Sequence, residues 1–371
     1  MSDQLHAVSR LFAIPGDMVR ATCYGSGHIN DTYLTEWQHD HRTQRIILQR
    51  INTHVFQNPA QLMENITRIT QHHAKTLDDQ NIQDASRRCL HFFPSHDGLS
   101  YACDEEGNFW RSCAFIDGAI AHQSVSSPRI AYEAAKAFGD FQAIAARLDG
   151  PRLHETIPHF HHTRKRYESL IAAAQDDVMK RRQQVLTELD FVAERAADCS
   201  KVVDLLERGI IPERVTHNDT KINNVLLDET SGEGLCVIDL DTTMPGCALY
   251  DFGDLVRTII ADASEDAKAD PKMALRMDFF QGLVQGYLQG AHFLTETEKN
   301  WLAFSGKLIT LECGIRFLTD FLEGDHYFKT THPQQNLFRA RNQFALVAAL
   351  EREMNQLEDI VHSSQLPTSF A

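Results

Sequence analysis

Apolar positions along the chain change period near residue 120. Before it they alternate with polar ones over short runs: Met18 to Trp37 holds two strand-like segments around the turn Gly25-Ser26-Gly27-His28, and Arg45 to Asn52 is a third, β-branched run. Pro59 to Leu77 places Leu62, Ile66 and Ile69 at helical spacing, and loops with short strands follow, ending in Asn108 to Ile116. After residue 120 the helical period dominates. Ser127-Pro128 starts a helix with a hydroxyl cap and a proline in the first turn. Ile130, Ala134, Phe138 (or Ala137), Phe141, Ile144 and Leu148 then line one face. A long helix is predicted from Gln183 to Arg208, stopped by Gly209 and Pro212. Residues 272–362 read as mostly helical, with a capping box at Thr295–Glu298. A short β-rich insert, Val215 to Asp241, separates these helical blocks. The pattern predicts an α+β chain with a β-rich N-terminal lobe over 1–116 and a large helical lobe over 117–371.

Composition narrows the possible functions. The 371 residues suit two domains. A net charge of −15 argues against phosphate-backbone binding, which needs clustered cations, so no nucleic-acid partner is expected. No apolar run approaches the ~20 residues of a membrane span, and Met1 to Arg10 lacks a signal-peptide stretch. Eight cysteines without a C-x-x-C pair read as reduced, buried thiols of a cytoplasmic protein. His159-Phe160-His161-His162 lacks a second ligand set at metal-site spacing and reads as a polar loop.

The chemistry lies in the insert. Val215-Thr216-His217-Asn218-Asp219-Thr220-Lys221-Ile222-Asn223-Asn224 matches H-x-D-x-x-x-x-N and runs into a short apolar strand. A turn at Thr230-Ser231-Gly232 leads to a second apolar run ending in Ile238-Asp239-Leu240-Asp241. A catalytic loop and a metal loop joined by a hairpin is the arrangement of a protein-kinase-type active site. Phosphoryl transfer needs a carboxylate beside the attacking hydroxyl, oxygen ligands for Mg²⁺ and a cation near the γ-phosphoryl group. Asp219 fits the carboxylate, Lys221 the cation, and Asn224 and Asp239 the metal ligands. Asp241, two residues on, would reach the metal directly or through water. Asp251-Phe252-Gly253 spells the kinase metal triplet but lies too far from Asp219, whereas Asp239 ends a strand. Asp251 is therefore expected to begin a helix and brace the catalytic loop. Ser305-Gly306-Lys307-Leu308 lacks the glycine and hydroxyl of a Walker loop.

These residues resemble the aminoglycoside phosphotransferase superfamily and, within it, the N-acetylhexosamine 1-kinase family. The likeness is carried by His217–Lys221 with Asn223-Asn224, Ile238–Thr242 with Met244-Pro245-Gly246, and Asp251-Phe252-Gly253-Asp254. Glu312–Leu318, Leu322–Asp325 with Tyr327-Phe328, Gly27–Asn30 and Ile47–Asn52 extend it. The resemblance implies a bilobal protein-kinase-like fold that moves phosphate from ATP, with Mg²⁺, to the anomeric hydroxyl of N-acetylglucosamine or N-acetylgalactosamine. It implies adenine on the backbone around Phe115 to Asp117, Asp219 on the sugar's 1-hydroxyl, and Arg316 and Tyr327 on the sugar. It also tips Gly25 and Gly27 from a plain hairpin turn towards a phosphate lid, where His28 or Asn30 would reach substrate.

Two readings stay open. Glu312, Arg316 and Asp320 share one helix face, either as an ion-pair ladder in water or as a pocket line with a guanidinium on substrate oxygens. The third strand offers Gln49 or Arg50 where protein kinases have a lysine, and alternation favours Gln49. The alternative substrate is another small hydroxylated metabolite such as an aminoglycoside, choline or an amino alcohol. An amine would want an acidic or aromatic cage, against which Arg316 argues.

Overall fold

The computed structural model describes residues 2–25, 29–261 and 265–365. Helix α1 (Ser2–Ser9) leads into strands β1 (Asp17–Cys23), β2 (Asp31–His39) and β3 (Arg42–Arg50). Helix α2 (Pro59–Asp79) and the single turn α3 (Ala85–Arg88) precede β4 (Phe92–Phe93), β5 (Ala102–Cys103) and β6 (Phe109–Ala114). These strands form one antiparallel sheet of order β1-β2-β3-β6-β4, with β5 also on β6. Alternation explains its buried face: Ile46 and Leu48 of β3 and Trp110 of β6 pack with Trp37 against Leu5, Val8 and Phe12 from the α1 segment.

Beyond Ala114 the chain leaves this sheet. Strand β7 (Ala119–Ala121) pairs instead with the hairpin of β9 (Val225–Asp228) and β10 (Gly234–Val237), in the order β10-β9-β7. The remainder is mostly helical: α4 (Pro128–Ala145), α5 (Thr163–Asp176), α6 (Leu186–Ala193) and α7 (Asp198–Glu207) lead to the hairpin. Strands β8 (Arg214–Thr216) and β11 (Met244–Gly246) pair with each other on either side of it. Helices α8 (Ala248–Ile259), α9 (Met277–Gly290), α10 (Glu296–Asn300), α11 (Leu302–Glu323), α12 (Gln335–Arg352) and α13 (Met354–Gln365) complete the chain. Among the described residues no helix is long and apolar enough to cross a membrane.

Local signals account for several boundaries. Ser127 accepts from the Ile130 amide and Pro128 opens α4, while Thr295 and Glu298 form the capping box of α10. Helices α4 and α9 meet along Gly282, Gly286 and Gly290. A Cβ at Gly282 or Gly290 would lie 2.5 Å from the carbonyl oxygen of Pro128 or Lys136, and one at Gly286 closer still to Tyr132. Only hydrogen fits there, so the glycine stripe sets the close approach of the two helices.

Three expectations need amending. The helix from Gln183 to Arg208 is broken: α6 ends at Ala193 and α7 begins at Asp198. Arg195, in the turn between them, donates to the Phe191 carbonyl at 2.8 Å and forks onto Glu351 at 3.0 and 2.7 Å. Tertiary pairing thus overrides a continuous helical pattern. Next, His159–His162 is the expected turn, but the pattern does not predict its packing: His161 is buried and His162 caps α5 by accepting from the Lys165 amide at 3.3 Å. Helix α5 buries Thr163, Leu170, Ala173 and Ala174, with Tyr167 packed beside them, a short stripe that its opening Thr-Arg-Lys-Arg hid. Finally, Cys23 and Cys103 are exposed rather than buried, although all eight cysteines are unpaired thiols.

His73 in α2 shows how this packing tunes a titration. Burial lowers its pKa to about 4, although its Nε2 donates to the Phe141 carbonyl at 3.2 Å. The unfolded chain binds that proton near the ordinary value of 6.5, so stability falls as pH drops from about 6.5 to about 4, by up to ~3 kcal/mol. Thermal melts across that window are expected to drop more steeply for wild type than for His73→Gln. Parallel curves would contradict this.

Candidate active site

The site is built where β8 and the β9–β10 hairpin end side by side. His217, in the loop after β8, is packed edge-on against Phe138 and Phe141 of α4, with ring centroids 5.3 and 6.0 Å away. Its Nε2 donates to the Ile238 carbonyl at 2.9 Å and its Nδ1 accepts from the Asp219 amide at 3.3 Å. One imidazole therefore ties the loop carrying Asp219 to the strand end carrying Asp239. Asn218 and Asp239 both take left-handed backbone conformations, at φ 65° and 59°. Non-glycine residues rarely sit there, and such strain collects at functional sites. Asn218 is held by its own amide, which donates to the carbonyls of Thr216 at 3.2 Å and Thr242 at 2.9 Å.

Asp251 lies in the first turn of α8, fully buried. Its carboxylate accepts from the backbone amides of His217 at 2.9 Å and Asn218 at 2.7 Å, and from the Gln142 side chain. It braces the loop, as its distance from Asp219 in the sequence suggested.

The carboxylates differ in their electrostatics. Burial alone would raise the Asp219 pKa, but the Lys221 ammonium 2.9 Å away holds it down at about 2. Lys221 is raised in turn by Asp219. Asn224 turns its Nδ2 to the Asp219 carbonyl at 2.8 Å and to its Oδ2 at 2.9 Å, which leaves the amide oxygen to face outward. Burial, Asp241 and Asp219 push Asp239 up to about 6. A carboxylate so raised is short of positive charge, which is the local condition a cation relieves. The oxygen-only set of Asp239 and Asn224 suits a hard divalent ion such as Mg²⁺. No group of three His, Cys, Asp or Glu side chains stands ready as a cage among the described residues, so such an ion would need phosphate or water oxygens as well.

Asp241 is engaged elsewhere. It is buried in an ion pair with Arg111 of β6 and accepts from Asn30 Nδ2 at 2.5 Å. Arg111 is 4% exposed; burial alone would lower its pKa, but Asp241 raises it. The same guanidinium donates to Gln49 Oε1 at 2.8 and 2.6 Å across the β3–β6 register, where the two residues are direct partners. Gln49 donates in turn to Thr32 Oγ1 at 2.8 Å. Arg50 turns the other way, onto Asp31 with Nε at 2.9 Å. Sequence reasoning passed over Arg111, although a single arginine inside Phe109-Trp110-Arg111-Ser112-Cys113-Ala114 was a usable signal. Asn30 also accepts from the Asn52 amide at 2.9 Å, so it links two segments of the N-terminal sheet to Asp241.

On α11 the ion-pair ladder is absent. Glu312 is buried and bonded to His161 Nδ1 at 2.7 Å and Thr163 Oγ1 at 2.5 Å. Asp320 accepts from the backbone amides of His326, Tyr327 and Phe328 at 2.9, 2.8 and 3.0 Å. Arg316 between them makes no ion pair among the described residues. It donates weakly to the Tyr327 hydroxyl at 3.4 Å and lies 4.8, 5.6 and 5.5 Å from the rings of Phe160, Tyr327 and Phe328. Tyr327 is 55% exposed. Among the described residues the Arg166 guanidinium of α5 has only the Phe160 carbonyl, at 3.2 and 2.9 Å, and burial with the nearby Arg316 lowers its pKa. His161 connects this wall to the catalytic loop, because its Nε2 donates to the Asn218 carbonyl at 3.0 Å. Arg166 and His161 carry no signature in the sequence.

The remaining residues fall around the β6–β7 connection and the β1–β2 turn. Phe115 donates its amide to the Arg45 carbonyl at 3.2 Å, and Asp117 pairs with Arg45 through its carboxylate. The Asp117 carbonyl accepts from Arg87 Nε at 3.1 Å. Gly25 has φ +77° with open space where a Cβ would lie. Gly27 and His28 lie outside the described residues.

Known proteins share this fold. A microcompartment-associated aminopropanol kinase superposes with a TM-score of 0.59 at 14% identity, over 96% of this chain and 99% of its own. An aminoglycoside phosphotransferase from Alicyclobacillus acidocaldarius gives 0.58 at 14% identity, over 96% of each chain. Choline kinase from Cryptosporidium parvum gives 0.56 at 16% identity, over 98% of this chain and 99% of its own. At such identities the likeness establishes the kinase-like fold. The model of the phosphotransferase enzyme family matches residues 21–296, a stretch that holds most of the N-terminal sheet, Arg111, the His217–Asn224 loop and the Asp239 strand end. With its fold and its sequence both matched in this way, the chain belongs to the phosphotransferase enzyme family.

Proposed function

We propose that the protein phosphorylates the anomeric hydroxyl of an N-acetylhexosamine, using ATP and Mg²⁺. The observation that carries this reading is Arg316, a guanidinium without an ion pair among the described residues, set among three aromatic rings beside Arg166. Two neighbouring guanidiniums repel an ammonium group and favour the carbonyl, hydroxyl and ring oxygens of a neutral sugar. An acidic chain can hold a neutral acceptor without a steering field, and ATP would meet local donors.

In this reading Asp219 accepts a hydrogen bond from the sugar's 1-hydroxyl. At a pKa of about 2 it is a weak base, so it acts by aiming an oxygen lone pair at the γ-phosphorus. The new O–P bond forms as the bond to the bridging oxygen of ADP breaks, and the hydroxyl proton leaves towards Asp219 and solvent. Lys221 neutralises charge on the phosphoryl oxygens. Asp239 and Asn224 would hold Mg²⁺, which when bound supplies charge neutralisation on the phosphates. Asp241, paired with Arg111, would reach the ion through water. Gln49 and Arg111 together would face the α- and β-phosphates, the Phe115–Asp117 backbone the adenine, and Gly25 with Gly27 the phosphates from above. Tyr327 would stack on the sugar, and His28 is assigned to substrate by the family resemblance alone.

Phe160, Tyr327 and Phe328 supply the specific reason for a second reading, because three rings around one point would hold a choline or amino-alcohol cation if Arg316 swung aside. An acceptor panel with ADP release as readout separates the two. Turnover with N-acetylglucosamine or N-acetylgalactosamine and none with choline, ethanolamine or kanamycin is expected; the reverse pattern would sink the sugar reading. Arg316→Ala is expected to raise the sugar KM about 10–100-fold, the loss of one charge-assisted contact, while the ATP KM stays within about twofold. Equal shifts would remove Arg316 from the sugar wall.

A further inference from the structure

A second cavity, of about 480 Å³, lies away from these residues, between α2, α4 and β10. That volume is in the range of small-molecule sites. Its lining carries a run of apolar side chains, Ile69 from α2, Phe141 from α4, Leu235 and Val237 from β10 and Leu240 beyond it, beside the buried Thr70 and His73 of α2. Its polar rim is basic, formed by Arg88, Lys136 and Arg147 against the single acid Asp140. Asp140 is already paired with Lys136 at 2.8 Å. Arg88 and Arg147 form no side-chain hydrogen bond or ion pair among the described residues, and the buried Nε of Arg88 has no partner.

We infer that this cavity is a binding site for a small amphiphilic anion, a carboxylate or phosphate monoester with an apolar tail. The tail would lie along Ile69, Phe141 and Leu235, and the head would meet Arg88 and Arg147. A neutral apolar ligand leaves both guanidiniums unmatched, and a cationic one is repelled by them.

The position gives such a ligand a route to the active site. Leu240 follows Asp239 directly, and Val237 precedes Ile238, whose carbonyl accepts from His217. Filling the cavity presses α2 and α4 against the segment that aims Asp239. The ligand therefore changes ATP handling from behind the metal loop; this coupling rests on the proposed kinase reading, whereas binding does not.

Titration calorimetry with octanoate, octyl phosphate and octylamine on the full chain tests the site. Saturable heats for one or both anions and none for the amine are expected, and the two anions distinguish a carboxylate from a phosphate source. Arg88→Gln with Arg147→Gln is expected to weaken the anion about tenfold or more. Thr76→Phe, which fills the cavity from α2, is expected to block it. No saturable heat for either anion, equal binding of octylamine, or undiminished binding by both variants would overturn the site. Saturating octanoate is expected to shift the ATP KM at least about twofold in wild type and not in the arginine variant. An unchanged KM with binding intact would overturn the coupling. Absence of turnover with every acceptor would fall on the kinase reading and leave the heats as they are.

Discussion

Asp219→Ala is expected to lower kcat by about 10²–10⁴-fold, the range of a positioned carboxylate in proton transfer. Nucleotide binding should survive, because Asp239 and the N-terminal sheet are untouched and Asn224 keeps its hydrogen bond to the carbonyl of residue 219. The loss works through geometry as much as basicity: Lys221 and Asn224 hold the Asp219 carboxylate in one orientation, at 2.9 Å each. Removing it leaves the Lys221 ammonium without its counter-charge, so Asp219→Asn, which keeps the shape, should also fail. Steady-state ADP release with saturating acceptor, beside calorimetric ATP titration, separates the two effects. A variant that turns over at more than about a tenth of the wild-type rate would take Asp219 out of the reaction.

Arg111→Met is the second large effect. It strands Asp241 as a buried carboxylate whose remaining side-chain partner among the described residues is Asn30, and it also removes both donors to Gln49. Breaking a buried pair on one side is expected to destabilise the chain by ~3–5 kcal/mol. Arg111→Lys should recover part of this, since an ammonium restores the charge but not the fork that spans Gln49 and Asp241. Arg111→Met with Asp241→Leu should recover most of it by removing both buried charges. Urea unfolding monitored at two wavelengths measures all three. A loss under about 1 kcal/mol for Arg111→Met would mean that water already screens the pair.

The two effects differ in how far they were legible. The loop and hairpin around Asp219 are local: the spacing of His217, Asp219, Asn224 and Asp239 fits within one strand-turn-strand unit, so sequence order nearly equals spatial order. Asp251 was legible for a related reason, because distance in the chain excluded it from the metal loop and left it a bracing role. Arg111 was not, because its partners Gln49 and Asp241 come from a neighbouring strand and from the far side of the cleft. Arg166 and His161 were hidden in the same way, their roles set by which helices meet. The short stripe of helix α5 is masked by its charged first turn, and the break between α6 and α7 follows from Arg195 reaching Glu351, which no local period encodes. Arg316 lay between: its helix face was readable, but only packing decided that Glu312 and Asp320 point to other partners and leave the guanidinium among the rings.

The reading therefore rests on one chemical statement, that the acceptor is the anomeric hydroxyl of a neutral amino sugar. Phosphorus-31 NMR of the protein incubated with ATP, Mg²⁺ and N-acetylglucosamine, and separately with N-acetylgalactosamine, tests it most directly. A new monoester signal coupled to the anomeric proton, growing as the γ-phosphate signal fades, is the predicted result. Both sugars left unreacted, while parallel incubations with choline or ethanolamine give a monoester coupled to their CH₂, would contradict it.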